Sequence, residues 1–268
     1  MARSRPWSAV MVPGPVAVLT LGGLTIWLSG RPASAALAWA VVVASSLAAG
    51  AVMRSLLASA RRHQREAMTA KMEMVNRLAL AAEYQDDGRS GHNFRIQKSS
   101  ELVARQLGIS PEQSKTIGKA ALLHDIGKIG VPHTILAKPG ALDPEERAAV
   151  EGHSLYGAHL LEGSDDPVLL SGHAICLTHH ERWDGKGYPN GMIGEAIPIE
   201  GRIVAVVDVF DALTSPRPYK DAWTVEDARQ AIIDGSGGQF DPKVVDAFLV
   251  VLDEVVALRG TQGTAALV

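Results

Sequence analysis

One cysteine, Cys176, is all the chain carries, and aromatic residues make up only 5% of its 268 residues. A single thiol excludes an internal disulfide and leaves nothing from which to build a thiolate metal cage. Excess charge is missing too. The formal net charge is −3, so no broad basic surface for duplex nucleic acid follows from the composition, although a small basic pocket is compatible with it. Alternating apolar and polar runs joined by hairpin turns are absent, which removes the signal for a sheet-built fold. With 47% apolar and 21% charged residues the composition is not that of a disordered chain. The length suits one substantial domain with accessory segments.

Charge is missing altogether from two stretches, residues 6–30 and 32–53. Each is long enough to cross a hydrocarbon core of roughly 30 Å, which takes about 20 apolar residues as a helix. Pro13 and Pro15 delay the first regular helix to residues 16–28, and Ser29-Gly30-Arg31-Pro32 forms the turn between the spans. Arg3 and Arg5 precede the first span, Arg54, Arg61, Arg62 and Arg65 follow the second, and only Arg31 lies between them. This bias puts both ends in the cytoplasm and predicts a two-pass transmembrane hairpin, residues 1–56, in the inner membrane. A signal peptide cleaved near Ala33-Ser34-Ala35 is the alternative, although an exported protein has no need of the second uncharged span.

Residues 56–84 then read as a long helix leaving the membrane, with residues 57–75 as a linker. Met68, Met72, Val75, Leu78 and Ala82 recur at spacings of three or four, which suits one buried stripe. The stripe either pairs with a second copy in a homodimer or docks on the domain behind it.

Beyond the linker the chain is punctuated by helix starts. Ser110-Pro111-Glu112-Gln113 and Asp143-Pro144-Glu145-Glu146 each offer an N-cap, a proline at the first helical position and a side chain that can close a capping box. Asp241-Pro242 begins another helix in the same way, Thr224 with Asp227 is a weaker start, and Gly140, Gly235, Gly237 and Gly238 fall between segments. Residues 204–209 are β-branched, but their apolar run continues past Phe210, too long for an ordinary strand, and reads as a buried helix. The soluble part, residues 76–255, is therefore expected to be all-α, with residues 256–268 as a tail.

Histidines and aspartates recur along these helices: His92, the pair His124-Asp125, His153, the pair His179-His180, and Asp208. Taken singly, a buried histidine is more often a hydrogen-bonded core residue than a ligand. Asp125, after the apolar run Ala121-Leu122-Leu123, is less ordinary, and so is Asp208 among Val204, Val206, Val207, Val209 and Phe210. A carboxylate is costly to bury there without a cation beside it. Imidazole and carboxylate together suit manganese, iron, zinc or cobalt, and neighbouring residues diverge by about 100° on a helix, so one of each pair can reach a second ion. Lys128, four residues after His124, is expected on nearly the same helical face. Cys176 reads as core packing, and His63, His133, His159 and His173 as structural or surface residues.

Three runs carry a resemblance to a known family. They are His124-Asp125-Ile126-Gly127-Lys128-Ile129-Gly130, His179-His180-Glu181-Arg182-Trp183-Asp184-Gly185-Lys186-Gly187-Tyr188-Pro189, and Arg202-Ile203-Val204-Ala205-Val206-Val207-Asp208-Val209-Phe210-Asp211-Ala212-Leu213-Thr214. In this order they resemble the HD-GYP phosphodiesterases, a branch of the HD metallophosphohydrolase superfamily, over residues 76–252. The resemblance implies an HD-type helical bundle and two divalent transition-metal ions, iron or manganese. His92, His124, Asp125 and Asp208 would hold the first ion; Asp125 would bridge to a second held by His153 and His179, with His180 as an additional ligand. Gly88 stands where some members carry a glutamate and a third metal, so two ions are expected.

The resemblance also implies a substrate, cyclic di-GMP, opened to linear pGpG and on to GMP. Two cations about 3.5–4 Å apart lower the pKa of water and draw charge from the phosphate oxygens, which is what a phosphodiester demands. Lys128 is similar to the family's catalytic lysine, beside Asp125, and Arg217 and Lys220 to its phosphate-contacting positions; as bare sequence they read equally as solvated charges. Tyr188 either offers its ring to a guanine or packs on Trp183 in a turn. Another nucleotide as substrate, or a receptor that binds cyclic di-GMP and signals through the linker without turning it over, are the competing functions.

Overall fold

A computed structural model of the chain describes residues 32–85, 91–216 and 221–259. Among them are α-helices, short 3-10 turns and two isolated bridges, Asp184 with Ile193 and Ser236 with Phe240, but no strand, as expected of an all-α fold. The chain divides into two compact units, Met1–Lys71 and Met72–Val268.

Helix α1, Pro32–Gln85, is 54 residues long, or about 80 Å at 1.5 Å per residue. The expected second span and the helix after it are thus one uninterrupted element, since no proline falls within residues 33–85. Its segment Ala35–Glu83 is, among the described residues, the one helix long and apolar enough to cross a membrane, judged by length and composition alone. The other expected span, residues 16–28, lies outside the described residues.

The buried stripe of α1 keeps Val75 and Ala82 of the expected one and exchanges Leu78 for Ala79. Val75, Ala79 and Ala82 are buried and Met72 lies at their edge, whereas Met68 and Leu78 are 51% and 44% exposed. Val75 and Ala79 share one buried cluster with Leu122, Leu123, Ile126, Ala158, Leu161 and Cys176. Docking on the domain is therefore what this stripe does.

The remaining helices are α2 His92–Gln106, α3 Pro111–Ala121, α4 His133–Leu136, α5 Pro144–Glu151, α6 His153–Leu161, α7 Pro167–Thr178, α8 Ile199–Thr214, α9 Val225–Asp234, α10 Pro242–Val250 and α11 Leu252–Ala257. Their starts follow the sequence signals. Asp143 and Glu146 form a complete capping box. Ser110 accepts from Gln113 N, but its hydroxyl donates to the Gln113 side chain, so only half of the reciprocal box forms. Asp166, Thr224 and Asp241 cap α7, α9 and α10. Each cap is worth about 1 kcal/mol.

Helix α8 is the axis of the core. Ile203, Val204, Val206, Val207 and Phe210 are buried in one cluster with Ile96, Val103, Ile117, Ile175, Ile232, Val244 and Phe248. A helix apolar on nearly every side is stable only when surrounded, and this one is. The β-branched run is a helix, as its length foretold.

A second constraint lies where the 3-10 turn Ile126–Gly130 crosses α6. A Cβ on Gly127 would run into the carbonyl oxygen of His153 and the backbone nitrogen of Gly157. No side-chain rotation relieves a clash with backbone, so Gly127→Ala should cost about 1–3 kcal/mol or more. The check is the urea midpoint of the full chain by circular dichroism, where a wild-type midpoint would contradict so close a crossing.

Candidate metal centre

The suspected ligands stand at helix ends rather than on helical faces, with Asp208 in mid-helix as the exception. His92 is the first residue of α2, behind Gly91 with φ 78°. Helix α3 ends at Ala121, so His124 and Asp125 lie in the turn that follows it. His153 opens α6; His179 caps α7, and His180 lies in the turn beyond. The 100° argument for adjacent pairs therefore applies to neither pair. Lys128 does not share a helical face with His124 either. It sits in a 3-10 turn, whose three-residue period brings its Nζ to 2.7 Å from Asp125 Oδ2.

The fold gathers these side chains into two groups. Ligating atoms of Asp125, His153, His179 and His180 lie within 4.8 Å of one another, and so do those of His92, His124 and Asp208. Asp125 faces both. Its Oδ2 is 3.2 Å from His124 Nε2, and its Oδ1 is 3.4 Å from His153 Nε2 and 3.8 Å from His179 Nε2. Asp208 Oδ1 is 3.9 Å from both His92 Nε2 and His124 Nε2.

Hydrogen bonds turn the imidazoles inward. Nδ1–H of His124 donates to Ala121 O at 2.8 Å, that of His153 to Val150 O at 2.6 Å, and that of His179 to Ile175 O at 2.9 Å. The Nε2 atoms then face one another, 3.4 Å apart for His153 and His179, and His124 Nε2 is buried without a hydrogen bond. Inward-facing lone pairs beside carboxylates have no account in a packed core without a cation, because buried polar atoms are otherwise paired. The donor set fits divalent transition metals.

Electrostatics divide the rings into two kinds. Burial, and then His124, lowers His179 to about 3; burial also lowers His153 and His180, so these rings are neutral, the ligating form. Burial would lower His124 as well, but Asp125 and Asp208 outweigh it and raise it to about 9. Asp125 is opposed by burial yet held well below the usual carboxylate range by Lys128 and His124.

Tyr188 packs on His180 rather than on Trp183. Its ring stacks on His180, centroids 4.7 Å apart at 28°, while Trp183 has the Arg202 guanidinium 5.8 Å from its ring centroid. Arg217 and Lys220 lie outside the described residues. Cys176 is buried as expected, its thiol donating to Leu123 O at 3.1 Å. His63, His133 and His159 are exposed and His173 half-buried, and none joins either group.

Sequence reasoning missed two buried acids. Asp211 is 3% exposed and bonded to His92 Nδ1 at 2.8 Å. It stands in the same apolar run that singled out Asp208, so the same signal was there to find it. Glu181, also 3% exposed, accepts from Asn190 N at 2.7 Å and Met192 N at 3.0 Å and so closes the loop that carries Tyr188.

The HD domain family model matches residues 58–244. The chain belongs to the HD domain family. Superfamily membership, expected from the three runs, is thereby borne out. The HD domain is 47% identical over 194 residues to the cyclic di-GMP phosphodiesterase response regulator RpfG of Xanthomonas campestris pv. campestris, covering 72% of this chain and 51% of that one. It is 41% identical over 189 residues to 3'3'-cGAMP-specific phosphodiesterase 2 of Vibrio cholerae, covering 70% of this chain and 36% of that one. This chain thus spans about half the length of the first of these curated relatives and about a third of the second. Among solved structures, an HDG"Y"P protein of Bdellovibrio bacteriovorus superposes with a TM-score of 0.50 at 22% identity, over 63% of this chain and 53% of that one, a likeness of fold.

The loop of this HD domain offers a test independent of turnover. Glu181→Ala removes the acceptor of two backbone bonds, each worth about 1.5–3 kcal/mol because the acceptor is charged. Exchange of the Asn190 and Met192 amides should then quicken by at least about tenfold, read by hydrogen-exchange mass spectrometry. Unchanged exchange would mean that Glu181 does not hold the loop.

Proposed function

We propose that the chain is a metal-dependent cyclic dinucleotide phosphodiesterase that opens cyclic di-GMP to pGpG and on to GMP. The observation that carries this reading is the convergence on Asp125 of both ligand groups, which span separate helices. The names of the curated relatives supply the substrate class.

In this reading His92, His124, Asp125 and Asp208 would hold one ion, and His153, His179 and His180 would hold a second, with Asp125 facing both groups. When bound, such ions supply Lewis acidity and lower the pKa of water. The chain's own residues do the rest. The outward hydrogen bonds of His153 and His179 leave Nε2 of these neutral rings open to an ion, whereas His124, raised to about 9 beside Asp125 and Asp208, would release its Nε2 proton when an ion binds. Lys128, its side chain 12% exposed, sets its ammonium beside the bridging carboxylate, where it offsets the negative charge that grows on the phosphodiester oxygens. Tyr188, stacked on His180, forms a wall beside the second group, and Arg217 and Lys220 supply phosphate contacts.

Further parts of the reading concern the rest of the chain. The apolar segment Ala35–Glu83 supports a membrane anchor, and we take it with residues 16–28 as a two-pass hairpin in the inner membrane with the HD domain in the cytoplasm. Met68, Met74 and Leu78 remain exposed on α1, which supports pairing with a second copy of the chain. A relative named for 3'3'-cGAMP favours that dinucleotide as the second reading of the substrate.

Turnover separates these readings. The full chain in detergent, loaded with Mn(II) or Fe(II), should convert cyclic di-GMP to linear product by chromatography, and faster than 3'3'-cGAMP. Asp125→Ala should abolish turnover, and Lys128→Met should lower kcat by about 10²–10³-fold with bound metal unchanged. Binding without product from the metal-loaded chain would replace the enzyme with a receptor, and preference for 3'3'-cGAMP would replace the substrate.

A further inference from the structure

His124, His153 and His179 anchor Nδ1 on main-chain carbonyls three or four residues back. His92 has no such carbonyl in its own helix, because it is the first residue of α2. Its Nδ1 bonds instead to a side chain from another helix, Asp211 Oδ2 of α8, at 2.8 Å.

Asp211 is itself held from several directions. Arg95 Nε donates to Oδ1 at 2.5 Å and Arg95 Nη2 to Oδ2 at 3.0 Å, a two-point fork. Ser215 Oγ donates to Oδ2 at 3.4 Å while accepting from Arg95 Nη2 at 3.2 Å. Arg259 Nη2 reaches Oδ1 at 3.1 Å, its Nη1 donates to Thr214 O at 2.5 Å, and its guanidinium also contacts the Thr214 hydroxyl. Burial would raise this carboxyl, but His92 and Arg95 outweigh it and hold it well below the ordinary carboxylate range.

We propose that Asp211 is a positioning residue for the His92–His124–Asp208 group, and that Arg259 belongs to the same centre by holding Asp211 in place. The inference rests on the metal reading above. Arg259 lies beyond the matched segment, residues 58–244, and in what the sequence suggested was a tail. An ionised carboxylate on Nδ1–H keeps the proton off Nε2, orients the ring and makes Nε2 a stronger donor to a metal. Asparagine cannot replace it. The arginines claim the single amide oxygen, the NH2 turns toward His92, and the ring must then carry its proton on Nε2, where it blocks the ion.

The test uses the full chain in detergent micelles, stripped of metal and titrated with Co(II), followed by visible absorption and by metal analysis after dialysis. Wild type should bind two ions. Asp211→Asn should keep wild-type helicity and affinity for one ion while the other weakens by about 10–100-fold, so that it matches the residual site left by His92→Ala. Arg259→Gln, at the half-exposed edge of the network, should shift the same ion in the same direction by less. If Asp211→Asn does not fold, Arg259→Gln decides. Two ions at wild-type affinity in the folded variants overturn the inference while leaving the metal reading intact. A wild-type chain that takes up no ion overturns both.

Discussion

Imidazole and carboxylate groups can share a dry interior only if their lone pairs meet a cation, and the HD domain is organised around that constraint. It meets the constraint by using helix ends. The last turn of a helix has carbonyls without intrahelical partners. Ala121 O closes α3, Val150 O lies in the last turn of α5 and Ile175 O in that of α7, and each takes Nδ1–H of a histidine just beyond. At Ala121 and Ile175 the same oxygen also accepts the backbone N–H of that histidine, at 3.3 and 2.9 Å, and the ring bond beside it aims Nε2 into the centre. Fold and site cannot be separated at these positions, because one terminal carbonyl holds both the backbone and the ring of the ligand.

The same economy shows in the packing. Two apolar clusters meet at the turn after α3: Ala120 and Ala121 belong to the cluster around α8, and Leu122 and Leu123 to the one that receives the end of α1. The next residues are His124 and Asp125. Asp208 and the Asp211 pairing to His92 hang from the first cluster, through α8. The second holds Ala158 and Leu161 on the helix that His153 opens, and Cys176 three residues before His179. Asp125, with an oxygen toward each ligand group, stands on the seam. Gly127, just past it, lets the chain cross α6 at backbone contact, and that closeness fixes how far Asp125 lies from His153.

What was legible in the sequence follows from which interactions are local. Caps are local, and Asp143, Thr224 and Asp241 open helices where the sequence indicates. The burial cost of a carboxylate in an apolar run is also local, and it picked out Asp125 and Asp208. The rule reached no further than it was applied, since Asp211 three residues on met the same condition. Illegible were the helix ends at Ala121 and Thr178. No glycine or proline marks either, so the shared helical face of His124 and Lys128 was a fiction of uninterrupted periodicity. The stripe of α1 was misread in part for a related reason: the pattern of large apolar residues favoured Met68 and Leu78, while packing selected Ala79. Tyr188 found a partner, His180, eight residues away through a loop that Glu181 folds back, and no spacing rule encodes that.

Relatives named for different dinucleotides match this HD domain at 47% and 41% identity, and the chemistry of the centre explains why so similar a frame serves both. The phosphodiester is common to cyclic di-GMP and 3'3'-cGAMP, so residues that act on it are indifferent to the base. Guanine and adenine differ in the donors and acceptors on their edges, and a site built to bond one edge can reject the other by up to about 10⁴–10⁵-fold because its polar groups are left unpaired. Discrimination of that size must come from parts that reach beyond the ions. Among the described residues the loop closed by Glu181 carries the Tyr188 ring onto His180. Under the proposed function, metal chemistry and base choice would sit on separate elements, joined where Tyr188 rests on His180.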